Sequence, residues 1–584
     1  MLPKPDLCKL CRGYIWNNGF GFSRPEGSCV LGVALMGEAL GENEAIDGLP
    51  FRPYSQAGAI LQRVLNGWHG AGFPREQFLI FNTIQCKPPG NDLAGASYEA
   101  DVIEACTVHR DRIIELHRPK VIVALGETAF RTLTGFEDIH LNRGYPVWND
   151  RYECWVLGSF HPAFLARGQR NLMGVLREDI KKAVWLASQP GWLPQDVEYT
   201  LQPTIEQARE FLREVLANPS APLAVDIENP QIQNEEEGGR GDYHDAPIMQ
   251  IQFSLRPCAG IVFPWIEGFR EIAGRLLRTD NPKWGHNSRK YDFPILEQNG
   301  FPVLGEWHDT MDAFRMVQSN LNGCYHLQGV ASFFGGDQLW KHKMGESMEF
   351  YGAMDVDVVQ RIIQGLIPTM HRLEVWKTYQ KHVVEIEPVL QGISRRGMNR
   401  DGEEIAVLKS ELRLELKKLQ AELTDLIPRD CRKFKDYKRE PKDVKILRLD
   451  LGGLHADQEE LAKRAAEQGY ERIQESTGAA WWRKWESFSP SNQQLQDYCR
   501  AKGYKIPKHP KGEQATMNEW ALRGLWKQTK DPVFDLSLRY RDAQKIESTY
   551  LSGDWQPAGD GKTHSDFYSA RTASGQFSSR NPNT

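Results

Sequence analysis

Residues 30–39 read VLGVALMGEA, an apolar run that ends on a carboxylate. Similar β-rich runs return as FLIFNTIQC (78–86), KVIVALG (120–126) and CWVLGSF (154–160). Helix-like stretches lie between them. Short apolar strands alternating with helices predict an α/β sandwich with a mostly parallel sheet over residues 1–190. Residues 200–370 alternate in the same way. From 375 to 550 the periodicity is mainly helical, as in IAVLKSELRLELKKLQAELTDLI (405–427). The fold class expected is therefore a multidomain α/β protein with a helical region.

Composition breaks mark the joints. SQPGWLPQD (188–196) interrupts a helix with Pro and Gly. A second break is expected near GLIPTMHR (365–372), and a third at GDWQPAGDGKTHSD (553–566). The polar insert NPQIQNEEEGGRGDYHDA (229–246) reads as a solvated loop.

The 584 residues suggest three or four domains at roughly 150 residues each. Hydrophobic residues at 40% and charged residues at 26% exclude a wholly disordered chain. No apolar run reaches the length of about 20 residues that a membrane span needs. The formal charge of −5 argues against a uniformly basic coat, but local patches still allow nucleic acid binding. MLPKPDLCKLCRG carries no apolar leader, so a reducing, cytoplasmic compartment is expected, in a bacterium or in a host cell if the source is viral. Ten cysteines are too sparse for a disulfide scaffold, so clustered ones read as metal ligands.

Cys8 and Cys11 form a C-x-x-C pair; Cys86 lies in NTIQCKPPGN and Cys106 in IEACTVHR. Four thiolates hold either a [4Fe–4S] cluster or zinc, and spacing does not choose between them. GEALGENEAIDGLPF (37–51), NTIQCKPPGN (82–91), KVIVALGETAF (120–130) and SFHPAFL (159–165) follow in order. This set resembles the iron–sulphur uracil-DNA glycosylases. The resemblance implies that Cys8, Cys11, Cys86 and Cys106 bind a [4Fe–4S] cluster. It also implies a pocket for a base flipped out of DNA. Phe51 would stack on the pyrimidine. Asn82 would match O4 and N3–H of uracil, and His161 would donate to the developing uracilate. Glu38 and Glu44 would position water or stabilise an oxocarbenium-like sugar. The chain departs from the family at Leu40, where Pro is usual, and in the expanded run PFRPYSQAG (50–58). Two readings stand: an active glycosylase, or a fold kept for DNA binding.

LAVDIEN (223–229) places Asp226 and Glu228 two apart on a strand, hence on one face. Such carboxylates repel unless a cation lies between them. HNSRKYD (286–292) supplies Asn287 and Asp292, and YGAMDVD (351–357) supplies Tyr351 and Asp355 one helical turn apart. In this order, with WHDTMDAFRMV (307–317) and CYHLQGVASFFGG (324–336), they resemble the RNase H-like, DnaQ-type 3′–5′ proofreading exonuclease of family A DNA polymerases. The resemblance implies that Asp226, Glu228, Asp292 and Asp355 hold two Mg²⁺ or Mn²⁺ ions, that Tyr351 orients water, and that Asn287 contacts the substrate, a single-stranded 3′ end. Asp309 and Asp357 read as structural. An RNase D-like ribonuclease is the alternative.

EPVLQGISRRGMNRD (387–401), FSPSNQQLQDYCRAKGY (488–504), ATMNEWALRGL (515–525) and LSLRYRDAQKIESTYL (536–551) resemble the thumb of family A DNA polymerases. Arg541 and Lys545 match its R-x-x-x-K pair, implying contact with primer-template DNA. Residues 429–448 hold nine Lys/Arg against four acids, a charge that suits phosphate. ARTASGQFSSRNPNT (570–584) resembles the start of the palm, with Gln576 in place of the usual Arg. The palm's catalytic carboxylates are not in the sequence, so polymerisation by this chain alone is not expected. A second polypeptide or a spliced exon would supply them. The domains expected are 1–190, 200–370, 375–555 and a truncated palm at 556–584. A non-enzymatic DNA-tethering module is the competing reading.

Overall fold

In a computed structural model the chain is described over residues 2–580, apart from 67–69, 231–246, 322, 346, 456, 475–479, 509–514, 553–559 and 573. Most of the polar insert, half of the turn-rich stretch at 553–566 and the last four residues thus lie outside the described residues. Two compact units result, residues 1–388 with 568–578, and residues 389–567 with 579–584.

The first unit contains two sheets. Sheet one has the order β2-β1-β3-β5-β4, built from β1 (Val33–Gly37), β2 (Leu79–Asn82), β3 (Val121–Leu125), β4 (Pro146–Asn149) and β5 (Cys154–Ser159). β2, β1, β3 and β5 run parallel and β4 pairs antiparallel at the edge. Every residue of β1 and β3 is buried, as expected for parallel strands covered on both faces. Val33, Leu35, Val121 and Val123 pack on one side with helices Gln56–Asn66 and Met173–Ala187. Ala34, Met36, Ile122 and Ala124 pack on the other with helices Thr107–His117 and Glu127–Thr134. The period of two along each strand thus feeds two cores.

Sheet two has the order β11-β10-β7-β8-β9-β6, with β6 (Glu198–Thr200), β7 (Leu223–Glu228), β8 (Gln250–Ser254), β9 (Ala259–Pro264), β10 (Lys283–Gly285) and β11 (Trp307–Asp309). β8 runs antiparallel to both β7 and β9. Helices Ile205–Ala217 and Phe269–Leu277 cover one face. Helix Met348–Arg372 crosses the other. This helix continues through Pro368 and ends at Arg372, the last residue of the stretch near which a break is expected. An interior proline costs about 3 kcal/mol. Ile362, Ile363, Leu366 and Met370 are buried around it, at about 1.5–3 kcal/mol each, which outweighs that cost. The Thr369 hydroxyl also donates to Gly365 O at 2.8 Å.

The two sheets share one apolar core. The polar contacts across it are buried as well. Arg143 pairs with Asp179 at 3.0 Å and donates to Ser332 Oγ at 2.7 Å. The Tyr145 hydroxyl donates to Gln328 O at 2.6 Å, and its ring meets Trp340 edge-on.

In the second unit, helices Gly402–Leu426, Asn492–Lys502, Glu519–Thr529 and Pro532–Lys545 pack around Leu423, Leu495, Phe534 and Leu538. The helical expectation here is incomplete. Strands Phe434–Tyr437, Ala480–Trp485 and Tyr470–Gln474 form a three-stranded antiparallel sheet with its own small core of Val444, Leu461, Tyr470 and Trp482. Among the described residues no helix is long and apolar enough to cross a membrane.

Candidate active sites

The carboxyl ends of β1, β2, β3 and β5 point to one edge of sheet one, where open α/β sheets bind ligands. Gly37 ends β1 opposite Asn82 at the end of β2. A Cβ on Gly37 would fall 2.5 Å from the Phe51 ring and 2.6 Å from Asn82 Oδ1, so only glycine fits between them. Phe51 holds φ +49 and its ring is buried. The His161 ring lies 5.4 Å from it, centroid to centroid. Gly126, at φ +93, lets His161 approach to 3.0 Å of where its Cβ would be.

The polar groups here are poised rather than satisfied. Asn82 is 1% exposed, yet its Nδ2 is buried without a hydrogen-bond partner. His161 Nδ1 accepts from the Ala163 amide at 3.1 Å, so the ring proton belongs on Nε2. That Nε2 is buried and unpartnered too. Burial, helped by Arg167, pushes the His161 imidazole down to about 4, so it is neutral at pH 7. Leaving such groups unpaired costs about 1–3 kcal/mol each unless a ligand supplies partners.

The loop above this pocket is braced from below. Glu44 accepts from the Gly41 amide at 2.8 Å and the Ser55 hydroxyl at 3.2 Å. Its oxygens are thus engaged in holding the loop that carries Phe51. Arg75, which the sequence did not announce, pairs with Glu26 at 2.7 Å and donates to Pro50 O at 2.7 Å. Its partners lie 49 and 25 residues away, so no local pattern reveals it. Glu38 accepts from the Thr128 hydroxyl at 2.9 Å, and burial raises its carboxyl.

Cys8, Cys11, Cys86 and Cys106 line one cavity with Lys4 and His109. Burial pushes the Cys86 thiol up to about 12 and Cys106 to about 11. The Gln85 amide donates to Cys106 Sγ at 3.2 Å and the Gly13 amide to Cys11 Sγ at 3.3 Å. Lys4 is buried beside them, donating to Gly13 O at 2.5 Å and Trp16 O at 2.7 Å. A tetrahedral zinc at about 2.3 Å from each sulfur would hold the sulfurs about 3.8 Å apart. Four thiols around one cavity fit a metal group as donors.

On sheet two, Asp226 and Glu228 occupy one face of β7 while Val225 and Ile227 enter the core behind. Carboxylate oxygens of Asp226, Glu228 and Asp355 all lie within 4.8 Å of one another. Asp292 begins helix Asp292–Gln298 and accepts from the Ile227 amide at 3.1 Å, beside this trio but outside it. Burial, then the neighbouring Asp292 and Glu228, raises Asp226 well above the usual carboxylate range. Burial and Asp355 push Glu228 up to about 8, and burial pushes Asp292 up to about 7. Hard oxygen donors in mutual repulsion suit divalent cations.

Three neighbours went unseen in the sequence. Lys341 Nζ lies 2.8 Å from Asp355 and 2.5 Å from the Tyr351 hydroxyl. Trp340 Nε1 donates to Asp355 at 2.5 Å. Gln252 on β8 donates to Asp226 at 2.5 Å. Asn287 adopts φ +60, and its amide donates to Asp309 at 3.1 Å. Asp309 also caps helix Thr310–Val317. Asp357 pairs with Arg361 at 2.9 Å.

In the second unit the Arg541 guanidinium donates to Pro490 O and Met517 O, so it braces the helices. Lys545 ends helix Pro532–Lys545 and is exposed. Gln576 is exposed, and its carbonyl accepts from the Thr572 hydroxyl at 2.5 Å.

Residues 25–187 match the uracil DNA glycosylase superfamily. The type-4 uracil-DNA glycosylase of Sulfurisphaera tokodaii is 34% identical over 190 residues, 31% of this chain and 81% of that protein. Those of Saccharolobus solfataricus and Thermotoga maritima are 34% and 33% identical over 182 and 162 residues, covering 30% and 27% of this chain and 79% of each relative. Among solved structures, the POL domain of Pol1 from M. smegmatis in complex with DNA primer-template and dNTP aligns at TM-score 0.41 with 17% identity. The alignment covers 66% of this chain and 55% of that one.

Proposed function

From the premise that this chain belongs, through residues 25–187, to the uracil DNA glycosylase superfamily, we propose that its first sheet excises uracil from DNA. The observation that carries this is the pair of buried, unpartnered groups, Asn82 Nδ2 and His161 Nε2, beside the Phe51 ring. A flipped uracil offers O4 and O2 as acceptors and N3–H as a donor. Asn82 supplies an amide donor and an acceptor to O4 and N3–H. His161, neutral with its proton on Nε2, donates to O2, where charge collects as the C1′–N1 bond breaks. Phe51 stacks on the base and excludes water from it. Glu38, raised by burial, lies at the end of β1 and orients the water that adds to C1′. Glu44 and Arg75 position the loop. The cavity of Cys8, Cys11, Cys86 and Cys106 would hold a [4Fe–4S] cluster, with zinc the alternative; such a group would supply structure, tying residues 8–11 to 86 and 106. Incubating the chain with a uracil-containing oligonucleotide, then alkali, should cut the strand at uracil, and Asn82→Ala should leave it intact. An uncut strand with the unaltered chain rejects the reading.

The carboxylate trio favours a second activity, 3′–5′ exonucleolytic hydrolysis of DNA. Asp226, Glu228 and Asp355, with Asp292 beside them, would hold two Mg²⁺ or Mn²⁺ ions, which when bound activate water and stabilise the leaving 3′ oxygen. Tyr351 and Lys341 lie against Asp355, placed to orient the attacking water and the scissile phosphate. A 5′-labelled single strand with Mg²⁺ should shorten from its 3′ end, and Asp226→Ala should stop the shortening. A ladder unchanged by that substitution removes the assignment.

A further inference from the structure

The small sheet of the second unit walls a cavity of about 270 Å³ that neither active site uses. Its lining comes from one loop, two helices and two strands. Lys438, Arg439 and Glu440 follow strand Phe434–Tyr437, Arg448 lies on helix Lys442–Asp450, and Arg472 lies on strand Tyr470–Gln474. Arg472 and Trp482 are cross-strand partners, so their side chains share a face. Buried Trp482 and Leu461 form the floor.

The charge does not balance. Glu440 is the lining carboxylate, and its ion pair goes to Arg448. Lys438, Arg439 and Arg472 are exposed, and among the described residues none has an ion-pair partner. Three cations, two from the loop after strand Phe434–Tyr437 and one from strand Tyr470–Gln474, gather around one concavity and repel one another unless an anion sits among them. Phosphate is the anion that a lysine and two guanidinium groups match, and an indole beneath adds a surface for a base or sugar. The volume falls just below the range of about 300–1,000 Å³ of small-molecule pockets, the scale of a single nucleotide unit.

We propose that Lys438, Arg439 and Arg472 grip a phosphodiester of a single DNA strand, with Trp482 beneath the adjoining base. The site depends on neither active site, since all its residues belong to the second unit. It is tested on the full chain by fluorescence anisotropy with labelled oligo(dT), titrated from about 50 to about 300 mM NaCl, beside calorimetric titration with dTTP. In Lys438→Ala/Arg439→Ala/Arg472→Ala, strand affinity should fall about tenfold, and the salt slope should flatten by about 0.7, the value for one phosphate no longer neutralised on a single strand. Arg472→Lys alone, which keeps the charge, should retain the slope. If circular dichroism shows the triple variant unfolded, Arg472→Ala and Lys438→Ala/Arg439→Ala separately carry the comparison, each with weaker strand binding and a flatter salt slope. Slopes and affinities unchanged for both probes overturn the proposal. Loss of dTTP binding with an unchanged strand slope also overturns it, and makes the cavity a free-nucleotide site instead.

Discussion

The ammonium of Lys341 lies 2.8 Å from the Asp355 carboxylate, inside a cluster that also presents Asp226 and Glu228. It is the positive charge that balances the cluster when no other cation does. Burial opposes its charge, but Asp355 and Tyr351 outweigh that and hold its proton on. Lys341→Met should lower the metal-free stability by roughly 3 kcal/mol, because it strands a buried carboxylate. It should also enlarge the rise in melting temperature on adding Mg²⁺. Thermal melts with and without Mg²⁺ measure both; an identical Mg²⁺-induced rise in the two proteins contradicts this role.

Asn82 combines near-complete burial with a side-chain amide that lacks a partner. Asn82→Ala should therefore slow uracil release by about 10²–10³-fold, the usual loss for one transition-state donor. It should leave the melting temperature unchanged or higher, since the Nδ2 amide makes no internal hydrogen bond. A large drop in melting temperature would mean that the amide serves the fold and not the substrate.

His161 sets the pH behaviour of the same pocket. Its folded value, about 4, lies below the ordinary 6.5, so the folded protein stays unprotonated there while an unfolded chain takes up a proton. Stability from this group is complete above 6.5 and is lost as pH falls from 6.5 toward 4. Uracil release should show no His161-dependent inflection near 6.5. A rate profile with an inflection there that vanishes in His161→Asn would refute the neutral imidazole.

The four cysteines make a spectroscopic prediction. Their buried thiols resist ionisation, so metal binding must displace their protons, and the affinity falls in acid. The purified chain should be brown, with iron and sulfide in equal amounts. Cys86→Ala should lose the colour and melt earlier. A colourless, zinc-bearing protein would favour the single-ion alternative.

Arg143 and Asp179 are 1% and 2% exposed and join the two sheets of the first unit through Ser332. Arg143→Ala leaves Asp179 buried and unpaired, at a cost of about 3–5 kcal/mol. Because both sheets share a core, urea unfolding followed by probes in each should shift together. Independent transitions would show that the sheets fold as separate domains.

Residues 1–190 were legible because parallel strands are short, continuous and apolar, and their ends carry Gly37, Asn82 and His161 in fixed order. The spacing of Asp226 and Glu228 was legible too, since two residues along a strand share a face. Sequence alone also foretold helix Gly402–Leu426 from its period. Near 365–372 the helix does end, at Arg372, but not at Pro368, where buried neighbours override the local signal. Sequence alone missed the sheet at 434–485, whose aromatic and charged strands carry no clean alternation. Arg75, Gln252, Lys341 and the convergence of Lys438, Arg439 and Arg472 were decided by tertiary structure alone. Each acts on residues distant in the chain, and local sequence encodes which face a side chain takes, not which remote charge will meet it.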